Sequence, residues 1–262
     1  MSKTVITLLT DFGLTDPYVG VMKGVIYSIN PTVNIVDITH NIPSYNIDVA
    51  ALIMLISYRY FPKNTIHVCV VDPGVGTKRR GILIRTKNYY FIGPDNGCLY
   101  PAAIDDGIIE VYDISNSPYR LERTSYTFHG RDLFAPVAAW LSKGVEPSKL
   151  GTKYTGELVK SWIRLAEKKN GFYEATVIYI DKFGNVMTNI RPDKIPWSYG
   201  EKIRIETGDR VFECVFERSF GYVGEGELVC YINSWGFLEL GVNKGNAASY
   251  TGLKVKDEIR VY

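Results

Sequence analysis

The first 140 residues alternate between short apolar runs and longer segments with apolar residues at helical spacing, and this alternation constrains the fold more than any other feature. The runs 5–10, 33–38 and 65–71 are rich in β-branched residues and predict three strands, while 18–29 and 48–61 predict helices between them. The runs are apolar nearly throughout, which is typical of parallel strands that helices cover on both faces. We therefore predict an α/β fold with an N-terminal, mostly parallel sheet flanked by helices.

The pattern changes after about residue 170 to short strands without helices between them. Before that point, further strands are predicted at 81–86, 89–92 and 108–112, and a further helix at 133–143. After it, strands are predicted at 173–180, 186–190, 202–206, 211–216, 228–232, 237–240 and 258–261. Short strands at this spacing, separated by turn sequences, predict a small antiparallel barrel or sandwich.

Charge and hydropathy exclude several classes of partner. Lys and Arg total 30 against 28 for Asp and Glu, and this formal charge of +2 lacks the basic excess of a nucleic-acid-binding protein. No apolar stretch reaches the roughly 18 residues that a membrane span needs. Residues 5–9 resemble a first buried strand instead of a signal peptide. We therefore expect a cytoplasmic protein with neither a nucleic-acid partner nor a membrane span.

The four cysteines are scattered along the chain without a C-x-x-C pair. They are Cys69, Cys98, Cys214 and Cys230. This spacing predicts neither a disulfide framework nor a zinc site. Cys69 lies within an apolar run and is predicted to be a small core residue.

Polar residues follow each of the first three predicted strands, where an open parallel sheet places its ligand crevice. Topology alone nominates Asp11, Asp16, His40 and Asp72. Structural roles remain open at this point, because Asp11 can cap a helix and an Asp before Pro-Gly often makes a turn. His129 precedes a predicted helix, and with Asp11 and Asp72 it could in principle bind a metal, although no ligand spacing supports that.

Three polar clusters in the second half are equally ambiguous from the residues alone. They lie at 181–189, 233–236 and 246–250, and each contains small residues that let the backbone approach a ligand. Each cluster is also compatible with an ordinary β-turn.

Several of these stretches belong to longer motifs that occur in a fixed order. The motifs are TDFG at 10–13, GVMKG at 20–24, VDPGVG at 71–76 with Arg79, GPDNG at 93–97, TFHGRD at 127–132 and DKFGN at 181–185. Together they resemble the S-adenosylmethionine hydrolase family, also called SAM hydroxide adenosyltransferases, which is related to the fluorinases and chlorinases. The resemblance covers essentially the whole chain.

The resemblance implies an architecture and a reaction. It implies an α/β catalytic domain at 1–165, followed by a small antiparallel β-barrel domain at 166–262 that contributes substrate contacts. It also implies a homotrimer in which each site lies between the first domain of one subunit and the second domain of its neighbour. The implied reaction is hydrolysis of S-adenosylmethionine (SAM) to adenosine and methionine, without a metal or an organic cofactor.

Residue roles follow from the same resemblance. Asp72, Arg79 and His129 are implied as the catalytic triad that holds and activates water. The implied substrate-binding residues are Asp11 and Tyr45 at the ribose, Asp16, Asp181 and Ser234 at the methionine end, and Asn185, Ala247 and Ala248 at the adenine. The chain departs from the halogenases at Trp235, where those relatives have arginine, and by a short insertion at 243–245.

These residue types suit the implied chemistry. A sulfonium leaves as a neutral thioether and needs no general acid, so the task is to present water in line to the ribose 5′-carbon. Asp72 can accept the water's proton, His129 can share or relay it, and Arg79 can keep the carboxylate ionised and oriented. The alternatives are a SAM-dependent halogenase, a non-catalytic adenosine or SAM sensor, and a metal-dependent nucleotide hydrolase. A carboxylate at the point of attack would repel a halide.

Overall fold

The computed structural model describes residues 4–122 and 125–262. The chain divides after Trp162 into two compact units. The family resemblance predicts this boundary after residue 165. Among the described residues, no helix has both the length and the apolar character that crossing a bilayer requires.

The first unit contains a sheet and its flanking helices. Its strands are β1 (Val5–Thr10), β2 (Asn34–Thr39), β3 (Ile66–Val70), β4 (Gly81–Thr86), β5 (Tyr90–Pro94), β6 (Ile108–Asp113) and β7 (Thr152–Lys153). Its helices are α1 (Tyr18–Ile29), α2 (Ile47–Ser57), α3 (Tyr100–Asp106), α4 (Ala135–Ser142) and α5 (Pro147–Leu150). A 3₁₀ turn, Tyr58–Tyr60, follows α2, and one π-helical turn, Gly130–Phe134, precedes α4.

The strand order of this sheet is β2-β1-β3-β5-β4-β6-β7. Strand β1 pairs in parallel with both β2 and β3, and β3 pairs in parallel with β5, while β4, β6 and β7 join as antiparallel strands. The chain therefore leaves β1 towards one side, forms β2, and returns to place β3 on the other side. This reversal creates a crevice at the carboxyl ends of β1 and β3, which is where open α/β sheets bind ligands.

The core of the first unit lies between this sheet and helices α1 and α4. Met22 and Ile26 of α1, four residues apart on one helix face, are fully buried against Ile6 and Leu8 of β1. The predicted cover on both faces does not extend to β2, an edge strand in which Val36 remains 39% exposed. An apolar run alone does not distinguish an edge strand from a central one.

The second unit is a closed barrel of seven strands. Its elements are β8 (Glu167–Lys169), β9 (Phe172–Ile180), β10 (Val186–Thr188), β11 (Lys202–Thr207), β12 (Arg210–Phe216), β13 (Leu228–Ile232), β14 (Leu238–Val242), α6 (Ala247–Thr251) and β15 (Glu258–Val261). The order is β10-β14-β13-β12-β11-β15-β9, and β9 pairs with β10 to close the ring, while β8 extends β9. The neighbouring strands of the ring are antiparallel except β12 and β13, which run in parallel.

Cys214 and Cys230 form a disulfide inside this barrel, with Cα atoms 5.8 Å apart. The sequence predicts no disulfide framework, and this single disulfide is one that the cysteine spacing did not predict. The two residues meet because β12 and β13 are neighbours, a pairing that the sequence separation of 16 does not reveal. Cys69 is a buried free thiol in the core, as predicted.

His67 on β3 is the centre of an aromatic cluster on the sheet face opposite to Val68 and Val70. Its ring stacks on Phe91 at 5.2 Å between centroids and makes an edge contact with Tyr58. Its Nδ1 lies 2.8 Å from the hydroxyl of Thr7. Burial lowers the pKa of His67 from 6.5 to about 3, so this imidazole stays neutral in the folded protein.

This histidine predicts a pH dependence of stability. Because its pKa is lower in the folded than in the unfolded state, the unfolded chain gains a proton first as the pH falls below 6.5. The free energy of unfolding should fall between pH 6.5 and 4 by up to roughly 1 kcal/mol per pH unit from this group. Urea unfolding of His67→Phe should show a flatter pH profile than the wild type. Both proteins keep His40 and His129, so parallel profiles would contradict this assignment.

Candidate active site

Asp72, Arg79 and His129 converge at the crevice of the first unit. The guanidinium of Arg79 donates from Nε to Asp72 Oδ1 at 3.0 Å and from Nη2 to Asp72 Oδ2. The same Nη2 lies 3.1 Å from His129 Nδ1. The side chains of Arg79 and Asp72 are only 8% and 5% exposed. The three predicted triad residues are thus in mutual contact, although 50 residues separate Arg79 from His129.

The loop after β3 folds Arg79 back towards Asp72. The amide of Val75 donates to the Asp72 carbonyl at 3.2 Å, and the Thr77 hydroxyl donates to the Gly74 carbonyl at 2.7 Å. Gly76 has a φ of 77°. A Cβ at that position would lie 2.3 Å from the Tyr126 carbonyl oxygen, so only glycine fits this turn.

The contact with Arg79 fixes the protonation pattern of His129. Because a guanidinium can only donate, Nδ1 of the neutral imidazole must accept, and the ring proton is then on Nε2. Burial, followed by the charge of Arg79, lowers the pKa of His129 from 6.5, and the Asp72 carboxylate partly opposes this. The Nη1 group of Arg79 is also buried, and no hydrogen-bond partner for it lies among residues 4–122 and 125–262.

A cavity of about 290 Å³ opens above Asp72 and His129. Its walls include Phe12, Tyr18 and Phe128, whose rings contact one another at centroid distances of 5.1 to 5.8 Å. Aromatic walls exclude water and offer faces on which a planar or cationic ligand can lie.

Asp11 and Tyr45 both line this cavity. Asp11 does not cap α1, which begins after Pro17; its Oδ2 instead accepts the Tyr45 amide at 2.8 Å. This contact holds Tyr45 at a positive φ of 64°, with 72% of the residue exposed. Asp16 is exposed and lies outside the residues that line the cavity.

His40, which topology also nominated, is buried away from the cavity. Its Nδ1 lies 2.9 Å from the Thr10 hydroxyl, and its Nε2 lies 3.0 Å from Asp37. Thr10 in turn accepts the amide of Phe12 at 3.2 Å. His40 therefore stabilises the loop after β1 through Thr10 and does not line the cavity.

The predicted binding residues of the second unit meet around a tight turn between β9 and β10. Asp181 accepts the Asn185 amide at 2.9 Å through Oδ1 and the Asn185 side chain at 2.9 Å through Oδ2. Gly184, with a φ of 84°, accepts the Ala248 amide at 2.9 Å through its carbonyl. Ala247 is fully buried at the start of α6, so Asp181, Asn185, Ala247 and Ala248 form one cluster.

A cavity of about 670 Å³ lies beside this cluster. Asp181, Asn185 and Ser234 line it, together with Tyr231 and Glu239, which the sequence analysis missed. The available signal was an acidic residue inside the apolar run of β14, because a charged side chain is rarely buried without a specific partner.

No group of three or more His, Cys, Asp or Glu side chains among residues 4–122 and 125–262 is arranged to hold a metal ion. Asp11, Asp72 and His129 share a cavity, but Asp72 uses both oxygens on Arg79, and His129 directs Nδ1 to the same guanidinium. Independence from metal remains a prediction for experiment.

Two family models match the chain. The model of the SAM hydroxide adenosyltransferase N-terminal domain matches residues 6–151, and that of the C-terminal domain of the same family matches residues 175–260. The two matches cover most of each unit and agree with the family resemblance of the sequence motifs.

Individual proteins are similar over nearly the whole chain. A protein of Methanocaldococcus jannaschii named (R)-S-adenosyl-L-methionine hydrolase is 37% identical, over 98% of this chain and 95% of its own. A protein of Actinopolyspora mzabensis named fluorinase is 29% identical, over 99% of this chain and 97% of its own. A solved structure of an uncharacterized conserved protein from Thermotoga maritima has a TM-score of 0.88 and 38% identity, covering 98% of this chain and 99% of that one.

The electrostatics of the triad predict how His129 titrates. In the wild type its pKa should lie below 6.5. Arg79→Gln should raise it, because a like charge is lost, and Asp72→Asn should lower it, because a favourable charge is lost. Imidazole proton shifts in NMR titrations measure these changes, with the resonance of buried His67 as internal reference. Shifts in the same direction in both variants would contradict the arrangement.

Proposed function

The chain belongs to the SAM hydroxide adenosyltransferase family, and we propose that it hydrolyses S-adenosyl-L-methionine to adenosine and L-methionine. The observation that carries this proposal is the buried contact of Asp72, Arg79 and His129 at the base of an aromatic-walled cavity. A carboxylate at that position suits a water nucleophile and would repel a halide. The hydrolase of M. jannaschii is also more similar to this chain than the fluorinase of A. mzabensis.

In the proposed mechanism, the carboxylate and the imidazole hold one water molecule between them. Nε2–H of His129 donates to the water oxygen, because Nδ1 is directed at Arg79. Asp72, oriented by two donors of Arg79, accepts a proton from the water on a lone pair that Arg79 does not use, as the water oxygen bonds to the ribose 5′-carbon. The carbon–sulfur bond breaks, its electron pair stays on sulfur, and methionine leaves as a neutral thioether. Asp72 later returns the proton to solvent.

Substrate binding in this proposal uses both units. Asp11, with Tyr45, binds the ribose hydroxyls in the cavity of the first unit. The methionine end is bound by Asp16, Asp181 and Ser234, and the adenine by Asn185 and the backbone at Ala247 and Ala248. Asp181, Asn185 and Ala248 meet around one turn, and Asp181, Asn185 and Ser234 line the adjacent cavity, which supports a binding role for this part of the second unit.

We further infer a homotrimer in which each site combines the first unit of one subunit with the second unit of its neighbour. Each unit carries an open cavity lined by only part of the proposed binding set, which supports a composite site. We also propose a cytoplasmic location for the protein.

Incubation with SAM in ¹⁸O-labelled water tests the reaction. We expect equimolar adenosine and methionine, with the label in the adenosine 5′-hydroxyl and unchanged yield in excess chelator. Asp72→Asn should lower kcat by about 10²–10⁴-fold, since it removes the proton acceptor. The exposed Asp209→Asn variant, on a turn of the barrel, serves as the matched control and should retain activity.

Other products would overturn the proposal in distinguishable ways. Label in methionine excludes attack at the 5′-carbon. A 5′-halo-adenosine formed in added halide indicates the halogenase alternative. Binding of adenosine without any turnover indicates a sensor, and loss of activity in chelator indicates a metal-dependent enzyme.

Mixed oligomers test the composite site. The wild type should have a solution mass near three times the 29.6 kDa of the chain. Asp72→Asn and Asn185→Ala should each be inactive alone. The first removes a residue from the first-unit half of every site, and the second removes a residue from the second-unit half. Co-expressed in equal amounts, they should recover about one quarter of wild-type activity, since random assembly pairs two intact halves that often. Absence of recovery in confirmed mixed trimers would place each site within one chain.

A further inference from the structure

Glu239 is a buried carboxylate that the proposed mechanism does not use. It lies on β14, is only 7% exposed, and has Leu238 and Leu240 as fully buried neighbours. It lines the same cavity as Asp181 and Ser234. Burial of a carboxylate is unfavourable unless donors satisfy it, so the contacts of Glu239 indicate why it is there.

Two neutral donors satisfy the two oxygens of Glu239. The hydroxyl of Tyr231 donates to Oε1 at 2.7 Å, and Nδ2 of Asn233 donates to Oε2 at 2.9 Å. Burial raises the pKa of Glu239, these two hydrogen bonds oppose the rise, and the charge of Asp181 adds to it. Burial and the neighbouring carboxylate also raise the pKa of Tyr231, which therefore remains a phenol donor.

Asn233 connects this carboxylate to the turn that follows β13. Its Oδ1 accepts the amides of Trp235 at 3.0 Å and Phe237 at 3.1 Å. Its own amide donates to the Phe237 carbonyl at 2.8 Å, and its carbonyl accepts the Gly236 amide at 2.9 Å. The turn 233–237, which carries Ser234, is thus organised around one asparagine.

The orientation of the Asn233 side-chain amide depends on which surrounding groups donate hydrogen bonds and which accept them. An ionised carboxylate only accepts, so it requires the NH₂ group of Asn233 and leaves the oxygen for the two backbone amides. A flipped amide would direct NH₂ at two N–H donors and its oxygen at a carboxylate. Glu239 and the two backbone amides therefore require the same orientation of the Asn233 amide, and the bond to Glu239 adds to its stability.

We propose that Glu239 is a positioning residue that, through Asn233, fixes the turn carrying Ser234 and so sets the affinity of the second unit's cavity for substrate. The inference rests on the proposed function, in which Ser234 contacts the methionine end. Asp72, Arg79 and His129 belong to the first unit, whereas Glu239 belongs to the second. Its loss should therefore weaken binding and leave the chemical step almost unchanged.

Steady-state kinetics of Glu239→Ala and Glu239→Gln test the proposal. Glu239→Ala should raise KM for SAM about tenfold or more, with kcat within about threefold of the wild type. Glu239→Gln should recover part of this loss, because its carbonyl oxygen still accepts from Asn233 and its NH₂ can donate to the Tyr231 oxygen. Glu213→Gln removes an exposed barrel carboxylate, 62% exposed and paired with Lys202, and should match the wild type.

A second measurement does not depend on turnover. Hydrogen–deuterium exchange of a peptide spanning 233–237 should be faster in Glu239→Ala, because the Trp235 and Phe237 amides lose an oriented acceptor. Tyr231→Phe keeps the ring and Glu239 itself, and should give a smaller change in the same direction. If the alanine variant does not fold, the glutamine and phenylalanine variants carry the test.

The outcomes separate this inference from the proposed function. A folded Glu239→Ala protein with wild-type KM and wild-type exchange overturns the inference, as does a fall in kcat at constant KM. A wild-type protein that releases no adenosine overturns the proposed function. In that case, faster exchange of the turn in Glu239→Ala still supports its positioning by Glu239.

Discussion

The buried contact between Asp72 and Arg79 is the interaction on which the first unit's cavity depends. A buried ion pair is favourable only when its geometry also satisfies the remaining donors and acceptors, and removing one partner typically costs about 3–5 kcal/mol. Here the guanidinium uses two nitrogens on one carboxylate and shares one of them with His129. The tight loop through Gly76 places Arg79 against Asp72. The position of His129 therefore depends on both the loop and the ion pair.

The alternation of strands and helices in the sequence predicted the crevice and nominated Asp72 there, whereas Arg79 and His129 were selected only by the family resemblance. The order β2-β1-β3 follows from two parallel connections on opposite sides of β1, and it brings the residues after β1 and β3 to one crevice. The same argument failed for His40, which also follows a strand. Its partners, Thr10 and Asp37, turn it into the protein, and these contacts depend on tertiary packing that no local pattern encodes.

The contacts of the second unit were harder to predict from the sequence. Closing the barrel brings together residues whose separation along the chain does not indicate that they meet. Cys214 meets Cys230 because β12 and β13 run side by side in parallel, an exception in a barrel that the spacing of its short strands predicts to be antiparallel. Ala248 lies beside Asn185 because its amide donates to the carbonyl of Gly184, the preceding residue. Gly184 has a positive φ, which glycine adopts readily. Spacing left these turns ambiguous, and only the family resemblance selected them as binding residues.

Charge balance explains why two buried carboxylates in one chain suit different tasks. Asp72 is paired with a cation, and burial together with Arg79 favours a neutral His129, so the base of the first cavity carries almost no net charge. A cationic sulfonium can approach such a surface, whereas a protonated His129 beside Arg79 would repel it. Glu239 has only neutral donors; burial, followed by the charge of Asp181, raises its pKa, and the two hydrogen bonds oppose the rise. Glu239 instead has a defined hydrogen-bonding task, because a carboxylate accepts from the Asn233 NH₂ group while the Asn233 oxygen accepts the two backbone amides of the turn.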